Sequence, residues 1–313
     1  MRRLPPAGLS GAPPVPELPD ITVYVECLAA RIVGQPLEGV RVLGPSLLRS
    51  VDPPLAGAAG HRVTGVRRLG KRIVIALEGE LFLVLHLMIA GRLHWQKRGA
   101  TPPRKRGQAC FDFPNGTLVL TEASTKKRAS LYVVQGEAAL AAHDPGGLEV
   151  MQASEAEFRE ALCRESHTLK RALTDPRLFS GIGNAYSDEI LHRAGLSPVQ
   201  LSSRLDANAI AKLYAAARAV LAEWTERLRA EAGDGFPEKV TAFRPEMAVH
   251  GRYRQPCPAC GSPVQRIVRA ENEVNYCAPC QTGGKLLADR ALSQLLRKDW
   301  PRTLEELDER MGR

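Results

Sequence analysis

The most informative segment for the fold lies near the beginning of the chain and reads Pro16-Glu17-Leu18-Pro19-Asp20. A Pro-x-x-Pro segment near a terminus is usually an extended arm, so the pentapeptide means little by itself. The apolar residues that follow it recur at helical spacing, and Gly34 supplies a stop signal. The spacing predicts a helix directly behind Pro16 and Glu17, with an apolar face formed by Ile21, Val25, Leu28, Ala29 and Ile32.

Fifteen residues precede Pro16, and they are rich in proline, glycine and alanine without any periodic pattern. We expect residues 1–15 to be disordered or to reflect a mis-assigned start. Val15 directly precedes Pro16, which suits a GTG codon that is read as methionine at initiation and then trimmed. Proteolytic removal of residues 1–15 is the alternative. The segment has two arginines but no continuous apolar stretch, so we expect no signal peptide.

Short segments of β type follow the predicted helix, and turn signals such as Pro114-Asn115-Gly116 separate them. They occupy residues 40–43, 62–66, 72–77, 81–85, 109–113 and 117–120. Several short strands with little helix between them indicate an antiparallel sandwich or barrel. We therefore predict an N-terminal β-sandwich domain, led by the helix, over residues 16–135.

Helical patterns replace the strands after about residue 150. A capping box at 154–157 opens one helix, residues 168–179 and 184–194 form a helical pair, and 207–230 form a longer helix. The predicted fold class is therefore α+β. Its later parts are a helical domain at 150–245, a cysteine-bearing ribbon at 246–282 and a helical tail at 283–313.

The charge balance of the chain favours a polyanionic partner. Its 313 residues contain 43 Lys and Arg against 34 Asp and Glu, for a formal net charge of +9. A basic excess of this size raises the expectation of nucleic acid binding, although a basic soluble enzyme would show the same balance. No apolar run reaches the length of a membrane span. We expect a cytoplasmic protein in the compartment that holds the nucleoid, and a monomer.

Four of the seven cysteines form two pairs, Cys257-Pro-Ala-Cys260 and Cys277-Ala-Pro-Cys280, with residues 261–276 between them. Two Cys-x-x-Cys knuckles at this spacing can place four thiolates around one zinc ion. Because all four positions would be protein ligands, the predicted Zn²⁺ is structural. Arg252, Arg254 and Arg266 lie in or beside this ribbon, which suits a grip on a phosphate backbone.

A glycine-containing turn, Ser180-Gly181-Ile182-Gly183-Asn184, joins the two helices of the predicted pair. Its glycines permit a tight turn and a close approach to a ligand. Backbone amides at the start of the second helix can form an anion site, and Asn184 can cap that helix or donate to a phosphate. An ordinary helical-hairpin turn would have the same composition.

Taken together, these three signatures resemble the formamidopyrimidine-DNA glycosylase/endonuclease VIII family. They occur in the order Pro-Glu-Leu-Pro, Gly-x-Gly-Asn and four-cysteine ribbon. Further matches are Gly70-Lys71-Arg72, His86-Leu-Met-Ile-Ala-Gly91 and a lysine ahead of the glycine turn, Lys170. The resemblance runs from Pro16 to about Gln281, which is nearly the whole chain.

The resemblance implies removal of oxidised bases from duplex DNA, followed by strand cleavage as an abasic-site lyase. It implies a helix–two-turn–helix at 168–194 and DNA bound in a cleft between the two domains. The implied catalytic residues are Pro16 as the amine nucleophile, Glu17 for proton transfer and Lys71 at the phosphate of the lesion. The implied DNA-binding residues are His86, Lys127, Arg128, Lys170, Gly181, Gly183, Asn184 and Arg269.

Several positions depart from the family pattern. Pro16 needs a free amine for this chemistry, and in the printed sequence it is internal. Residues 124–128 carry cations but no aromatic wedge, and Ile89 stands where the family usually has a methionine, with Met88 beside it. Asn272 replaces the usual ribbon arginine, and Arg269 is the candidate substitute.

These departures leave three alternatives beside a glycosylase of the formamidopyrimidine or 8-oxoguanine type. One is an endonuclease VIII-like preference for oxidised pyrimidines. A second is a non-catalytic DNA-damage binding protein, which applies if Pro16 is not the mature N-terminus. The weakest is a zinc-ribbon RNA-binding protein, which leaves the Pro-Glu opening and Lys71 unexplained.

Overall fold

The computed structural model describes residues 15–238, 240–241, 243–269, 272–287 and 301–310, with the side chains of 269, 272, 307, 308 and 310 left out. Of the predicted start segment, residues 1–15, only Val15 lies within this range. The first element is helix α1 (Leu18–Ile32), which confirms the helix predicted behind Glu17. Pro19 lies in its first turn, where a missing amide proton is harmless, and the Asp20 carboxylate accepts a hydrogen bond from the Glu17 amide at 3.0 Å.

The N-terminal domain is a sandwich of two four-stranded antiparallel sheets, as predicted. The first has the order β1-β6-β7-β5, and the second has the order β2-β3-β4-β8. One face of α1 packs on the core between them through Ile21, Tyr24, Leu28 and Ile32. The strands are β1 (Gly39–Val42), β2 (Val63–Leu69), β3 (Arg72–Leu77), β4 (Leu81–His86), β5 (Gly91–Gln96), β6 (Gly107–Phe113), β7 (Gly116–Glu122) and β8 (Ser130–Gln135).

Two of these strands, β5 and β8, were not predicted from the pattern. They lie at the ends of their sheets, and each pairs with one other strand of its sheet. A second apolar cluster (Val74, Phe82, Val84, Val134, Leu140) covers the outer face of the second sheet and includes a residue of the short helix α2 (Glu137–Ala141). Burial on both faces explains why β3 and β4 read as nearly continuous apolar runs.

The C-terminal domain is helical, with α3 (Glu155–Cys163), α4 (Leu169–Thr174), α5 (Asn184–Ala194) and α6 (Ala207–Ala232). The predicted capping box of α3 is present, with the Ser154 amide donating to Glu157 Oε2 at 2.7 Å. The prediction that a helix extends to residue 179 is wrong, because α4 ends at Thr174. Asp175 precedes Pro176 and is extended, as expected for a residue held out of the helical region by a following proline.

The ribbon is a hairpin of β9 (Gln265–Arg269) and β10 (Asn272–Tyr276), followed by α7 (Ala278–Thr282). The tail returns to it, because the Leu286 amide donates to the Arg302 carbonyl at 2.8 Å and Leu304, in α8 (Leu304–Arg310), packs on the hairpin core. Residues 288–300 and 311–313 of the predicted tail lie outside the described range. None of the described helices is long and apolar enough to cross a membrane.

Helix α1 brings the two domains together at its first residues. Leu18 belongs to the core cluster of the helical domain, although the rest of the α1 apolar face packs in the sandwich. The Leu18 amide also donates to the Gly181 carbonyl at 2.9 Å. Pro16 and Glu17 therefore lie at the domain boundary, beside the glycine turn.

Candidate active site and nucleic-acid interface

The Glu17 carboxylate binds the backbone at the start of α5. It accepts hydrogen bonds from the amides of Gly183 at 2.6 Å, Ala185 at 2.8 Å and Tyr186 at 3.3 Å. These amides lie at the start of α5, where backbone N–H groups have no hydrogen-bond acceptor within the helix. The positive end of the helix dipole lies at the same place. The predicted anion site of the glycine turn is thus occupied by a carboxylate from the other domain. Glu17 is 1% exposed, and Pro16 beside it is buried as well.

Gly183 is the point on which Glu17 and Lys71 converge. A methyl group at this residue would lie 2.5 Å from the Glu17 carboxyl carbon and 2.5 Å from the Lys71 ammonium nitrogen. Contacts this short do not occur with real Cβ atoms. Glycine is therefore required here by close approach, and three predicted site residues from distant parts of the chain meet at one place.

Lys71 lies at the tip of the hairpin between β2 and β3. Gly70 has a φ of +59°, a conformation that suits glycine in the first central position of a two-residue hairpin turn. Burial of the ammonium lowers the pKa of Lys71, and the nearby Lys170 lowers it further, while Glu17 opposes the shift. The hairpin turn thus places the partly desolvated Lys71 ammonium near the Glu17 carboxylate.

Gly181 brings the same turn against the start of α1. Its φ of +77° lies in the left-handed region, and a methyl group there would lie 2.8 Å from Leu18 Cβ. The predicted role of Gly181 and Gly183 in close approach therefore has a concrete counterpart in this structure. The groups that approach these glycines are protein side chains.

Lys170 is nearly buried, and its ammonium donates to the Asn184 carbonyl at 2.6 Å and to Asp188 Oδ1 at 2.5 Å. Asp188 also accepts from His250 Nδ1 at 2.8 Å and from the Asn275 amide at 3.1 Å. Although burial alone would raise the pKa of Asp188, Lys170 and His250 hold it below the usual range. The predicted DNA-binding lysine is thus part of an internal network that connects α4, α5 and the ribbon.

Glu189 makes a second internal contact of this kind. Its carboxylate accepts from the amides of Ala248 at 2.7 Å, Val249 at 2.9 Å and His250 at 2.9 Å. Neither Asp188 nor Glu189 was predicted from the sequence. The only available signal was a pair of acidic residues inside an otherwise apolar helical pattern.

The other predicted DNA-binding residues lie on several different elements. The Asn184 amide group donates to the Glu273 carbonyl at 2.9 Å and so joins the glycine turn to the ribbon. His86 ends β4 opposite Arg72, and burial, helped by Arg72 and Lys71, lowers its pKa to about 4. Lys127 donates to the Glu122 carbonyl, and the Arg128 side chain is exposed. The side chains of Arg269 and Asn272 lie outside the described residues.

The four predicted ligand cysteines come together in the ribbon, with their sulfur atoms all within 4.8 Å of one another. Cys257 and Cys280 are 3.9 Å apart, and Cys260 and Cys277 are 3.4 Å apart. A tetrahedral centre with metal–sulfur bonds of about 2.3 Å separates its sulfurs by about 3.8 Å, so the cluster fits a metal ion.

Comparison with known proteins agrees with this architecture. Residues 15–128 match the formamidopyrimidine-DNA glycosylase N-terminal domain, and residues 144–231 match the formamidopyrimidine-DNA glycosylase H2TH domain. Formamidopyrimidine-DNA glycosylase of Thermus thermophilus is 33% identical over 282 residues, covering 86% of this chain and 100% of the relative. The corresponding protein of Heliobacterium modesticaldum is 31% identical over 281 residues, covering 85% and 100%.

Solved structures give the same result. The crystal structure of the MutM (Fpg) protein from Thermus thermophilus is similar with a TM-score of 0.71 and 32% identity, covering 85% of this chain and 98% of that one. Lactococcus lactis Fpg bound to abasic-site DNA has the same fold, with a TM-score of 0.74 at 23% identity over 85% of this chain and 99% of that one. The chain therefore belongs to the formamidopyrimidine-DNA glycosylase family.

Proposed function

We propose that this protein is a base-excision DNA glycosylase that removes oxidised bases from duplex DNA and then cleaves the strand as an abasic-site lyase. The observation that carries the proposal is the meeting of Glu17, Lys71 and Gly183 beside Pro16. It unites a proton-transfer group, a cation and a close-approach glycine at a boundary between two domains. Relatives named as formamidopyrimidine-DNA glycosylases, matched over their full length, support the assignment.

The proposed nucleophile is the amine of Pro16. A terminal secondary amine titrates near ~8, so an appreciable fraction is unprotonated at neutral pH. Its nitrogen bonds to the sugar C1′ while the bond from C1′ to the base breaks, and the departing base takes a proton from solvent. Glu17 accepts the proton of the Pro16 amine and passes it to the ring oxygen as the sugar opens, which leaves an iminium between Pro16 and C1′.

The iminium then draws electrons from the sugar. Loss of a proton from C2′ to solvent expels the 3′ phosphate, and loss of the C4′ proton then expels the 5′ phosphate. Water hydrolyses the iminium and frees the Pro16 amine. Lys71 would neutralise charge at the phosphate next to the lesion. The damaged nucleotide must leave the base stack to reach these groups, which costs a few kcal/mol.

This mechanism requires Pro16 to be the first residue of the mature protein, so we propose that residues 1–15 are absent from the active form. The family match begins at residue 15, directly before Pro16, and this supports the proposal. The test is borohydride trapping on a duplex with an abasic site, followed by intact-mass analysis. A chain starting at Pro16 should form a covalent adduct, and a chain that retains Met1 should not. Tight duplex binding without an adduct in either form would instead make the protein a non-catalytic damage binder.

We propose oxidised purines of the formamidopyrimidine and 8-oxoguanine type as substrates. Single-turnover excision on duplexes that carry one lesion each compares these purines with oxidised pyrimidines such as thymine glycol. Faster excision of the pyrimidines would assign the chain an endonuclease VIII-like preference instead.

We propose that one Zn²⁺ occupies the four-cysteine cluster. Cys257, Cys260, Cys277 and Cys280 would be its ligands, and its role would be structural, because no position remains for water or substrate. His192 Nε2 lies 3.2 Å from Cys257 Sγ, as expected for a hydrogen bond that orients a ligand. Elemental analysis of the purified protein should give one zinc per chain, and a value near zero for correctly folded protein would reject the assignment.

The proposed DNA-binding surface includes His86, Asn184, Arg128 and the ribbon arginine Arg269 around the catalytic residues, with Lys127 beside Arg128. Lys170, which is internal in this structure, would act by holding Asn184 in place. The logarithm of the DNA-binding constant falls linearly with the logarithm of the salt concentration. Loss of one phosphate contact should reduce the magnitude of this slope by about 1. A salt slope unchanged in an Arg128→Ala variant would remove Arg128 from this surface.

A further inference from the structure

A half-buried arginine next to the Lys71 hairpin connects the two domains. Arg68, in β2, donates from Nη1 to the Gly70 carbonyl at 2.9 Å and to Ser180 Oγ at 3.2 Å, and from Nη2 to the Glu149 carboxylate. Ser180 Oγ in turn donates to Glu149 Oε1 at 2.5 Å. We call Arg68, Glu149 and Ser180 the Arg68 cluster. The Arg68 side chain is 15% exposed and Ser180 is buried, whereas the Glu149 side chain, at 38%, reaches solvent.

The Arg68 cluster touches the backbone on both sides of the candidate site. On the sandwich side, the guanidinium holds the carbonyl of Gly70, the residue directly before Lys71. On the helical side, it holds Ser180, the first residue of the glycine turn, and Nη1 lies 3.2 Å from the position of a methyl group on Gly181. One planar group thus sets the distance between the Lys71 hairpin and the turn that carries Gly183.

The neighbouring Arg67 shows what an ordinary surface ion pair on this strand looks like. Its guanidinium pairs with Glu137 within the same domain, and the two side chains are 50% and 60% exposed. Exposed pairs of this kind contribute little to stability. Arg68 instead donates hydrogen bonds to the Gly70 carbonyl, Ser180 and Glu149, which belong to three separate segments of the chain. The planar guanidinium can reach all three acceptors at once, whereas the single ammonium of a lysine cannot.

We propose that Arg68 is a positioning residue, which fixes the Lys71 hairpin against the glycine turn so that the Lys71 ammonium stays beside Glu17 at Gly183. Arg68 acts through Lys71 and does not itself touch the reacting sugar. The consequence for excision rests on the function proposed above, whereas the consequence for Lys71 does not.

The first test measures Lys71 without any activity assay. Competitive amine labelling across a range of pH, read by mass spectrometry, gives the apparent pKa of Lys71, with the exposed Lys212 as the internal reference. Burial lowers the pKa of Lys71. In Arg68→Met the apparent pKa should rise toward the usual lysine value, and in the matched control Arg67→Met it should not change. An unchanged value in Arg68→Met would overturn the proposal.

The second test measures single-turnover excision in the form that starts at Pro16. Displacements of about 1 Å in a catalytic group can slow a reaction on the order of 10²-fold, so we expect a fall of that order in Arg68→Met. The Kd for a duplex with a tetrahydrofuran abasic analogue should stay within about threefold. Arg68→Lys should fall between the wild type and Arg68→Met. Equal losses in Arg67→Met, or a loss confined to Kd, would contradict a positioning role.

Two further outcomes separate this proposal from its premise. If the wild type itself excises no base, the proposed function fails, and the labelling test still decides the role of Arg68. If Arg68→Met does not fold, Glu149→Gln replaces it, because that change weakens the same cluster while leaving the guanidinium in place. A Glu149→Gln variant with normal Lys71 labelling and a normal excision rate would then overturn the proposal.

Discussion

Helix α5 is held at two places by buried carboxylates, and the two places differ in where the carboxylates come from. At its N-terminus, the amides of Gly183, Ala185 and Tyr186 bind Glu17 of the other domain. In its middle, the carboxylates belong to the helix itself. Asp188 binds Asn275 of the ribbon, and Glu189 binds Val249 in the segment before the ribbon hairpin. Both contacts satisfy buried polar groups, yet only the first lies beside Pro16, the proposed nucleophile.

This difference in origin distinguishes a contact at the candidate active site from a contact that stabilises the fold. Glu17 enters from the sandwich domain, so changing it alters the boundary beside Pro16 and Lys71 as well as the first turn of α5. Asp188 and Glu189 connect α5 to the ribbon and to the segment before it, so changing them removes support from the ribbon. The same chemistry of carboxylate and backbone amide therefore predicts a loss of activity together with a loss of stability at Glu17, and a loss of stability alone at Glu189.

Glu17→Gln should have the largest effect. The amide keeps the size of the side chain but cannot transfer a proton, and loss of general acid–base catalysis costs roughly 10²- to 10⁴-fold. Single-turnover excision by the form that starts at Pro16 should fall by this amount. The matched control is Glu26→Gln on the exposed side of the same helix, where the carboxylate pairs with Arg229. A Glu17→Gln variant with a normal rate would remove Glu17 from the mechanism.

Gly183→Ala should have the next largest effect. The added methyl group would lie 2.5 Å from both Glu17 and Lys71, so one of them must move. A shift of about 1 Å at a catalytic group corresponds to a loss on the order of 10²-fold in the single-turnover rate. Gly39→Ala is the control, because a methyl group there meets nothing within 4 Å. Equal rates in the two variants would show that close approach at Gly183 is not needed.

Glu189→Gln should act on stability instead of chemistry. Its carboxylate accepts three backbone amides, and weakening hydrogen bonds to a buried charged group costs about 3 kcal/mol. Chemical denaturation should report this loss, while excision well below the unfolding transition stays near normal. The control is Glu223→Gln, which breaks an exposed pair with Arg193 and should change stability by less than about 0.5 kcal/mol. Normal stability in Glu189→Gln would contradict a supporting role.

His86 should give the smallest effect, visible as a pH dependence. Its pKa is lowered to about 4 in the folded state, so the unfolded chain binds a proton first as the pH falls. The resulting stabilisation is complete above the unfolded pKa near ~6.5 and is lost as the pH falls toward 4. Because His86 is partly exposed, we expect a loss of about 2 kcal/mol. The difference in unfolding free energy between wild type and His86→Gln should therefore shrink between pH 7 and pH 4, and a constant difference would contradict this account.

The sequence predicted the parts of the molecule whose signals are local. The Cys-x-x-Cys spacing places four ligands within a few residues of two turns, and the cluster forms as expected. The helix behind Glu17 and the capping box at Ser154 likewise depend on neighbours in the chain. Antiparallel strands of alternating or continuous apolar character were also recognisable, apart from β5 and β8.

Contacts between distant segments were not predictable in this way. Asp188 and Glu189 resemble surface acids of an amphipathic helix, and their partners, His250 and Asn275, lie 61 and 87 residues later in the chain. Arg68 cannot be told from Arg67 by its neighbours in the sequence, and only its contacts with Glu149 and Ser180 distinguish it. Lys170 matched a DNA-binding pattern, yet its ammonium is engaged inside the protein by Asp188. A single sequence does not record which of two similar side chains will meet a buried partner.

The most direct test of the account is to locate the covalent adduct on the chain. After borohydride trapping with abasic-site DNA, nuclease and protease digestion leaves a sugar remnant that tandem mass spectrometry can assign to one residue. We predict that it lies on the amine of Pro16, in the peptide that begins with Pro16-Glu17-Leu18. A remnant on Lys71 or on any other lysine, with Pro16 unmodified, would contradict the central claim that this domain boundary presents Pro16 as the nucleophile.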